Sequence, residues 1–581
     1  MSVILAETAG FCMGVKRAVD MVLDMARRKG KVEIYTYGPL IHNPQTVELL
    51  RSRGIIPISD LDEIPVSEKD ATLVIRAHGI SPDERKKIKA RGIRIIDATC
   101  PKVAHVQAII KKHARREETI LIIGNERHPE VMGLLGYASG RGMILNSLAD
   151  VAQLPGLDRV CVVAQTTQSI DKFKEIVAAL RDRFPDAVVF DTICDSTDKR
   201  QSEVKKMATE TDAIVVVGGR NSANTMQLAR LSRLAGTPTF HIETADDLKE
   251  IPVGRYRRVG VSAGASTPNW IIDRVVDHLA ARQDDRRRRF MGLMQLWIST
   301  VRTDIYSAFG AACLSWVGML LQGLPVRPAN MVTTAFFVYA IHTLNRFIDR
   351  KKSYILASFR EESYLRHKRL YLGAALAALL IAWTSAFLAG PAPFIMLFLI
   401  SLLGVLYHMR ILPEGWRFRS LKDLPGSKNV SMALAWAAVA AVLPRIEIDL
   451  SVSPALLVAF LFTFSIVFIR SALSDIMDIQ SDRLIGGETI PVMIGEDNTR
   501  LLLQGIAVTL LVLLMLAFTV GWTSSVSLAL LVCVFYVWIC FRLCDRRSAF
   551  SAVVLEGLLE TNYVIAGFSA LGWLLAVRWI A

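Results

Sequence analysis

Cysteine is scarce: there are eight in 581 residues, which does not suggest the disulfide framework of a small secreted domain. Metal ligation, redox chemistry and plain burial stay open for each thiol. A secretory signal is also lacking. MSVILAETAG has no basic leading segment and no long apolar run, so the first half is expected to stay on the side of the membrane where it is made. The net charge is +14, yet no basic patch is interleaved with aromatics and no nucleic-acid module is visible. Long apolar runs are missing only from the first half. Up to about Arg289, charged and apolar residues alternate as in a globular α/β protein. Beyond it come apolar runs of about twenty residues, long enough to cross a bilayer as helices. The densest basic cluster, RQDDRRRRF at 282–290, precedes the first of these and fits anchoring against anionic lipid.

What is present in residues 1–281 is alternation of short β-rich runs with helical ones. ATLVIRAHG, ETILIIGN, RVCVVAQTT, DAIVVVGG and RRVGVSAGA read as buried parallel strands. Helical stretches follow, often with a start signal such as Ser81-Pro82. The class is α/β. In such folds ligands gather beyond the carboxyl ends of strands, near helix N-termini. His78, Cys100, His128, Thr166, Cys194, Asn221 and Ser266 all stand at such ends.

Their spacing repeats. His42 follows Cys12 by 30 residues, His128 follows Cys100 by 28, and Ser222 follows Cys194 by 28. Each block then has a third element: His78 in RAHG, Thr166 in AQTT and Ser266 in SAGAS. A period of about ninety residues predicts three similar αβ units. A pseudo-three-fold arrangement would bring Cys12, Cys100 and Cys194 to one centre. Cys161, flanked by apolar residues in RVCVVAQ, reads as core. Three thiolates at one point suit an iron–sulfur cluster or zinc, with one metal position left open for a reaction. The donors His42, His78, His128, Gln165, Thr166, Thr167, Ser222, Asn224 and Ser266 around it suit a diphosphate. Glu130 in RHPEVMG is a poor binder of a polyanion. It reads either as a proton donor with a raised pKa or as an ordinary first-turn residue of a helix.

GFCMGVKRA, IHNPQTVELL, RAHG, DATCPKV, HPEVMG, QTT, DTICDSTDKRQ, RNSANT and SAGAS together resemble the 4-hydroxy-3-methylbut-2-enyl diphosphate reductases. That resemblance, over about 1–281, implies a trefoil of three αβ units around a 4Fe–4S cluster on Cys12, Cys100 and Cys194. It implies substrate held by His42, His78, His128, Thr166, Ser222, Asn224 and Ser266, and protonation by Glu130 as the allylic hydroxyl leaves. It implies electrons from ferredoxin or flavodoxin, and isopentenyl and dimethylallyl diphosphate as products. In one departure, Ala223 stands between Ser222 and Asn224 where the family usually has a second serine. One hydroxyl is lost, while the Ala223 backbone N–H stays on offer.

After a basic juxtamembrane linker at 282–294, the domain 295–581 is expected to hold nine spans, near 303–321, 330–347, 370–389, 392–409, 429–444, 453–474, 501–520, 524–541 and 555–577. Loops after even-numbered spans are rich in Lys and Arg, which predicts that they and the first domain face the cytoplasm of a bacterial-type inner membrane. Two of those loops carry acidic motifs: Asn345 with Asp349, and Asp475, Asp478 and Asp482 in SDIMDIQSDRLIGGETIPV. Carboxylates clustered at a membrane boundary suit Mg²⁺ bridging a diphosphate, with Lys422, Lys428 and Arg470 as candidate counter-charges. This half resembles the UbiA-type prenyltransferases, which implies prenyl transfer to a lipophilic acceptor. Its second motif matches down to Thr489–Val492. The first is altered, with Arg346 and Ser353 at positions that are usually acidic. Two rivals follow: a reductase tethered by an inactive membrane anchor, and a zinc hydrolase in the first domain.

Overall fold

The structure is a computed structural model that describes residues 2–29, 34–65, 71–281, 291–348, 364, 367–409, 413, 420–449, 451–545 and 551–580. The chain divides into two compact units, Met1–Asp284 and Asp285–Ala581.

In the first unit, β-branched runs form strands, and inner ones such as Thr72–Ile75 and Ala213–Val217 are buried on both faces, as parallel sheets require. The strands are β1 (Ser2–Leu5), β2 (Ile34–Tyr37), β3 (Ile55–Ile58), β4 (Thr72–Ile75), β5 (Arg94–Asp97), β6 (Thr119–Ile123), β7 (Gly142–Leu145), β8 (Val160–Ala164), β9 (Val188–Val189), β10 (Ala213–Val217), β11 (Thr239–Ile242) and β12 (Arg258–Ala263). The helices are α1 (Met13–Lys29), α2 (Pro44–Arg51), α3 (Pro82–Ala90), α4 (Pro101–Ala114), α5 (Pro129–Leu135), α6 (Leu148–Ala152), α7 (Ile170–Arg183), α8 (Asp195–Glu210), α9 (Ala223–Leu234) and α10 (Asn269–Ala281). Four of them begin with proline, which fits the first helical position because its missing N–H is not needed there. Ser81 and Glu84 cap α3 reciprocally, as the Ser81-Pro82 signal anticipates.

The strands form three parallel four-stranded sheets, ordered β3-β2-β4-β5, β7-β6-β8-β9 and β11-β10-β12-β1. The three-fold repeat is therefore real, but its units are offset from the blocks read along the sequence. Strand β1 pairs with β12 at the far end of the unit, Ser2 opposite Arg258, so the third sheet is closed by the N-terminus. Each cysteine leaves an edge strand of the sheet that precedes it in this cycle. The repeating sets are thus His42, His78 and Cys100; His128, the β8 loop and Cys194; and Ser222, Ser266 and Cys12.

The second unit is helical. Helices occupy Ile305–Leu321, Pro328–Ile348, Lys368–Ala389, Pro391–His408, Ser427–Ile446, Pro454–Met477, Glu496–Thr519, Val526–Asp545 and Ala552–Ile580. Among the described residues, seven are long and apolar enough to cross a membrane. The number rises to eight if the pair Gly292–Arg302 and Ile305–Leu321, bent by 82°, counts as one span. The expected count of nine is not reached by this measure. Ile305–Leu321 is only 17 residues long. Pro328–Ile348 carries Asn330, Thr333, Thr334, His342, Thr343, Asn345 and Arg346, which dilute its apolar surface. The linker segment 282–290, Asp349 and Ser353 lie outside the described residues.

Candidate functional site

The three cysteines converge through equivalent contacts. Cys100 and Cys194 occupy the position before the first turn of α4 and α8, and Cys12 immediately precedes α1. Each is held by the loop after the neighbouring strand of its own sheet: the Cys12 N–H donates to Ala265 O at 3.0 Å, Cys100 N–H to Ala77 O at 2.9 Å, and Cys194 N–H to Thr166 O at 3.0 Å. Helix N-termini favour thiolate over thiol. The Val15 N–H points at Cys12 Sγ, 3.5 Å away. Burial pushes the Cys100 thiol up, the Lys102 and Val103 backbone N–H groups oppose it, and the charges of Cys12 and Cys194 add to the rise. The three thiols are thus in electrostatic reach of one another. Among the described residues, however, their sulfurs do not form a set within 4.8 Å. Gly14 lies against this centre: a Cβ there would sit 2.6 Å from Cys100 Sγ.

Three imidazoles form a cluster, and one of them, His78, follows Ala77, whose carbonyl holds the Cys100 N–H. Ring centroids of His42 and His78 are 4.7 Å apart, His78 and His128 5.4 Å, and His42 and His128 6.0 Å. Burial lowers all three. Arg76 reinforces the effect on His42, neighbouring imidazoles and Arg76 hold His78 well below the usual range, and His128 is pushed down to about 4. Lowered in this way, the three rings favour the neutral form near pH 7. His128 Nδ1 accepts from the Glu130 N–H at 3.2 Å, which leaves its ring proton on Nε2.

Glu130 is 2% exposed and stands in the first turn of α5. Its carboxylate accepts from the Thr166 N–H at 2.7 Å and from Thr166 Oγ1 at 3.0 Å. Burial raises its pKa, and the two Thr166 contacts partly oppose the rise. Thr166 therefore spends its hydroxyl on Glu130 and its carbonyl on Cys194. The turns Arg76–Gly79, Gln165–Gln168 and Gly264–Thr267 close with equivalent hydrogen bonds. That register aligns Thr167, rather than Thr166, with His78 and Ser266. Gln165 Nε2 donates to Thr167 Oγ1 at 3.0 Å. Ser266 Oγ donates to His42 O at 3.1 Å. Ser222 caps α9, Ala223 is its first residue, and Asn224 is buried in its first turn. His42 Nε2, His78 Nδ1 and Asn224 Nδ2 are buried without a hydrogen-bond partner. Buried polar atoms rarely stay so, and His42 and His78 belong to the one imidazole cluster.

Two cations escaped the sequence reading. Arg76 carries charge beside all three histidines. Arg200, only 4% exposed, reaches Gly10 O at 2.6 Å. The signal available was a charged residue inside each motif, RAHG and DKRQ, but charge alone does not tell a buried guanidinium from a solvated one.

In the second unit, Asp475 is 1% exposed and receives Lys428 Nζ at 2.8 Å and Asn429 Nδ2 at 2.8 Å. The Asp482 N–H donates to Asp478 O at 2.9 Å, which places the two aspartates one turn apart. Thr489 precedes the short helix Ile490–Ile494. Asn345 Oδ1 lies 3.3 Å from His408 Nε2. Arg470 binds Glu556 at 3.1 Å and Glu560 at 2.5 Å, so its charge is already matched. Arg346 forms a two-pronged pair with buried Asp304, 2.9 Å on each side, and Tyr364 Oη donates to the same carboxylate at 2.7 Å.

Residues 3–280 match the LytB protein family and residues 311–558 the UbiA prenyltransferase family. A 4-hydroxy-3-methylbut-2-enyl diphosphate reductase of Opitutus terrae is 43% identical over 289 residues, 48% of this chain and 100% of that protein. The chain belongs to the LytB reductase family. It also carries a UbiA prenyltransferase domain, joined to the LytB domain in one multi-pass membrane protein. The reductase of Aquifex aeolicus is 40% identical over 278 residues, covering 47% of this chain and 94% of that relative. Among solved structures, the reductase of Plasmodium falciparum overlays with a TM-score of 0.46 at 30% identity, over 47% of this chain and 86% of its own. A UbiA homologue of Aeropyrum pernix overlays with 0.37 at 14% identity, over 46% and 98%.

Proposed function

We propose that the LytB domain, over about residues 1–281, reduces 4-hydroxy-3-methylbut-2-enyl diphosphate to isopentenyl and dimethylallyl diphosphate. The allylic C–O bond breaks, two electrons and two protons enter, and water leaves. The observation that carries this reading is the mutual approach of Cys12, Cys100 and Cys194, in a domain where His42 Nε2, His78 Nδ1 and Asn224 Nδ2 are buried without a partner.

The donor set fits a 4Fe–4S cluster. A single zinc ion holds thiolates at about 2.3 Å, so its sulfurs lie within roughly 4 Å of one another. These three sulfurs are spread wider than 4.8 Å as a set, which favours a larger inorganic group, and Gly14 leaves room beside one of them. Bound there, the cluster supplies electrons one at a time from an external donor such as ferredoxin or flavodoxin. His42, His78, His128, Thr167, Ser222, Asn224 and Ser266 bind the diphosphate, helped by the Ala223 N–H at the start of α9. Arg76 adds positive charge. Glu130 holds the proton for the departing hydroxyl, and Thr166 fixes its carboxyl and relates it to the Cys194 loop. Incubating the anaerobic full-length protein with substrate and reduced methyl viologen tests this. The two five-carbon diphosphates support the reading, and an unconsumed substrate contradicts it.

The UbiA domain transfers a prenyl group from a prenyl diphosphate to a lipophilic acceptor. Asp475, Asp478 and Asp482 hold Mg²⁺ from the cytoplasmic side of an inner membrane. Asn345 and Asp349 belong to the altered first motif. The internal Arg346–Asp304 pair favours a second reading, an anchor without transferase activity. Mg²⁺-dependent prenyl transfer by the purified protein across a panel of acceptors counts against the anchor, and its absence across the panel counts for it.

A further inference from the structure

Helix α8 grips the loop that presents Cys12. Arg200, six residues after Cys194, sends Nη2 to Gly10 O at 2.6 Å and Nη1 to Ser196 O at 3.2 Å and to Ser196 Oγ. Its guanidinium thus spans from two residues before Cys12 to two residues after Cys194. One turn further, the Glu203 carboxylate accepts from the Glu7 N–H at 2.6 Å, the Thr8 N–H at 3.0 Å and Thr8 Oγ1. Gly10 makes this path possible: its φ is +115°, and a Cβ there would meet Asn269 Oδ1 at 2.6 Å.

The charge of Arg200 has no matching structural need. A peptide carbonyl would be satisfied by a neutral donor, whereas burying a guanidinium at 4% exposure is costly unless nearby negative charge compensates. The groups whose charges act on it are Cys12, Cys194 and Glu203. Its Nε is buried without a partner.

We propose that Arg200 is a positioning residue that sets the reduction potential of the cluster. It clamps the Cys12 loop to the Cys194 helix and supplies fixed positive charge beside two of the three thiolates, while Glu203 opposes that charge. The inference rests on the reading of Cys12, Cys100 and Cys194 as cluster ligands. Fixed positive charge favours the reduced, more negative form and raises the potential.

The test uses the full-length chain purified anaerobically, with iron and sulfide counted before potentiometric titration followed by electron paramagnetic resonance. Arg200→Gln keeps an N–H donor on a shorter side chain and loses the charge. Its potential is expected to move negative by at least about 59 mV, a tenfold change for a one-electron couple. Arg200→Lys keeps the charge and is expected to restore most of the value. Glu203→Gln keeps an acceptor for the Thr8 N–H and is expected to move the potential in the positive direction. Opposite signs for two neighbouring charge-removing changes are not produced by a merely structural clamp. Equal shifts in Gln and Lys variants, or unmoved potentials in loaded protein, overturn the inference. If Arg200→Gln does not load, the Lys variant and Glu203→Gln decide it alone. A wild-type chain without iron defeats the cluster reading instead.

Discussion

Glu130 carries the sharpest expectation at the scale of single residues. It is buried, raised in pKa and held by both donors of Thr166. Glu130→Gln keeps the shape and removes the exchangeable acid, so turnover should fall by roughly a hundredfold or more while pyrophosphate still binds. Steady-state kinetics and calorimetry check this, and weakened binding with unchanged kcat would contradict it. The histidines predict a pH dependence. Burial first, then neighbouring charge, holds His128 at about 4 when folded, against about 6.5 unfolded. Between those values the unfolded chain binds more protons, so this group's contribution to stability is full above about 6.5 and is lost as pH falls toward 4. An incoming polyanion reverses the shift, so pyrophosphate binding should take up protons and tighten as pH falls from 7.5 to 6. His128→Asn should flatten both curves.

Elements position these side chains, and two of them are exposed to direct trial. Gly14 in the first turn of α1 leaves no room for a methyl beside Cys100 Sγ. Gly14→Ala should fold, by far-UV circular dichroism, and carry much less iron. In the membrane domain, Arg346 and Asp304 tie Pro328–Ile348 to the start of Ile305–Leu321. Arg346→Ala removes the Arg346 charge from a carboxylate that is 1% exposed, leaving it the Tyr364 hydroxyl, and should destabilise that domain by about 3–5 kcal/mol, read as a lower melting temperature in detergent. Asp304→Asn in the same background should restore much of it.

At the scale of the whole molecule, the α/β class, the parallel strands and the three-fold repeat were legible because buried runs and turn-borne polar residues recur at a steady period. The offset of the repeat was not. It depends on Ser2 pairing with Arg258, a contact between the two ends of the first unit that no local pattern signals. The exchange of Thr166 for Thr167 at the His78-equivalent place escaped for a related reason: a one-residue register within a turn is fixed by backbone hydrogen bonds. Arg200 and Asp304 were silent because their roles come from burial against distant segments. The helix positions in the membrane domain were legible from hydropathy. The count of spans was less so, because polar residues dilute Pro328–Ile348 and an 82° bend divides the first candidate. Three equivalent loops hold Cys12, Cys100 and Cys194, the three thiols proposed to ligate one iron–sulfur cluster. Metal analysis of the anaerobically purified full-length chain tests that ligation most directly. A brown protein with about four irons and matching sulfide per chain, lost on Cys194→Ser, is predicted; a colourless protein with zinc and no iron would contradict it.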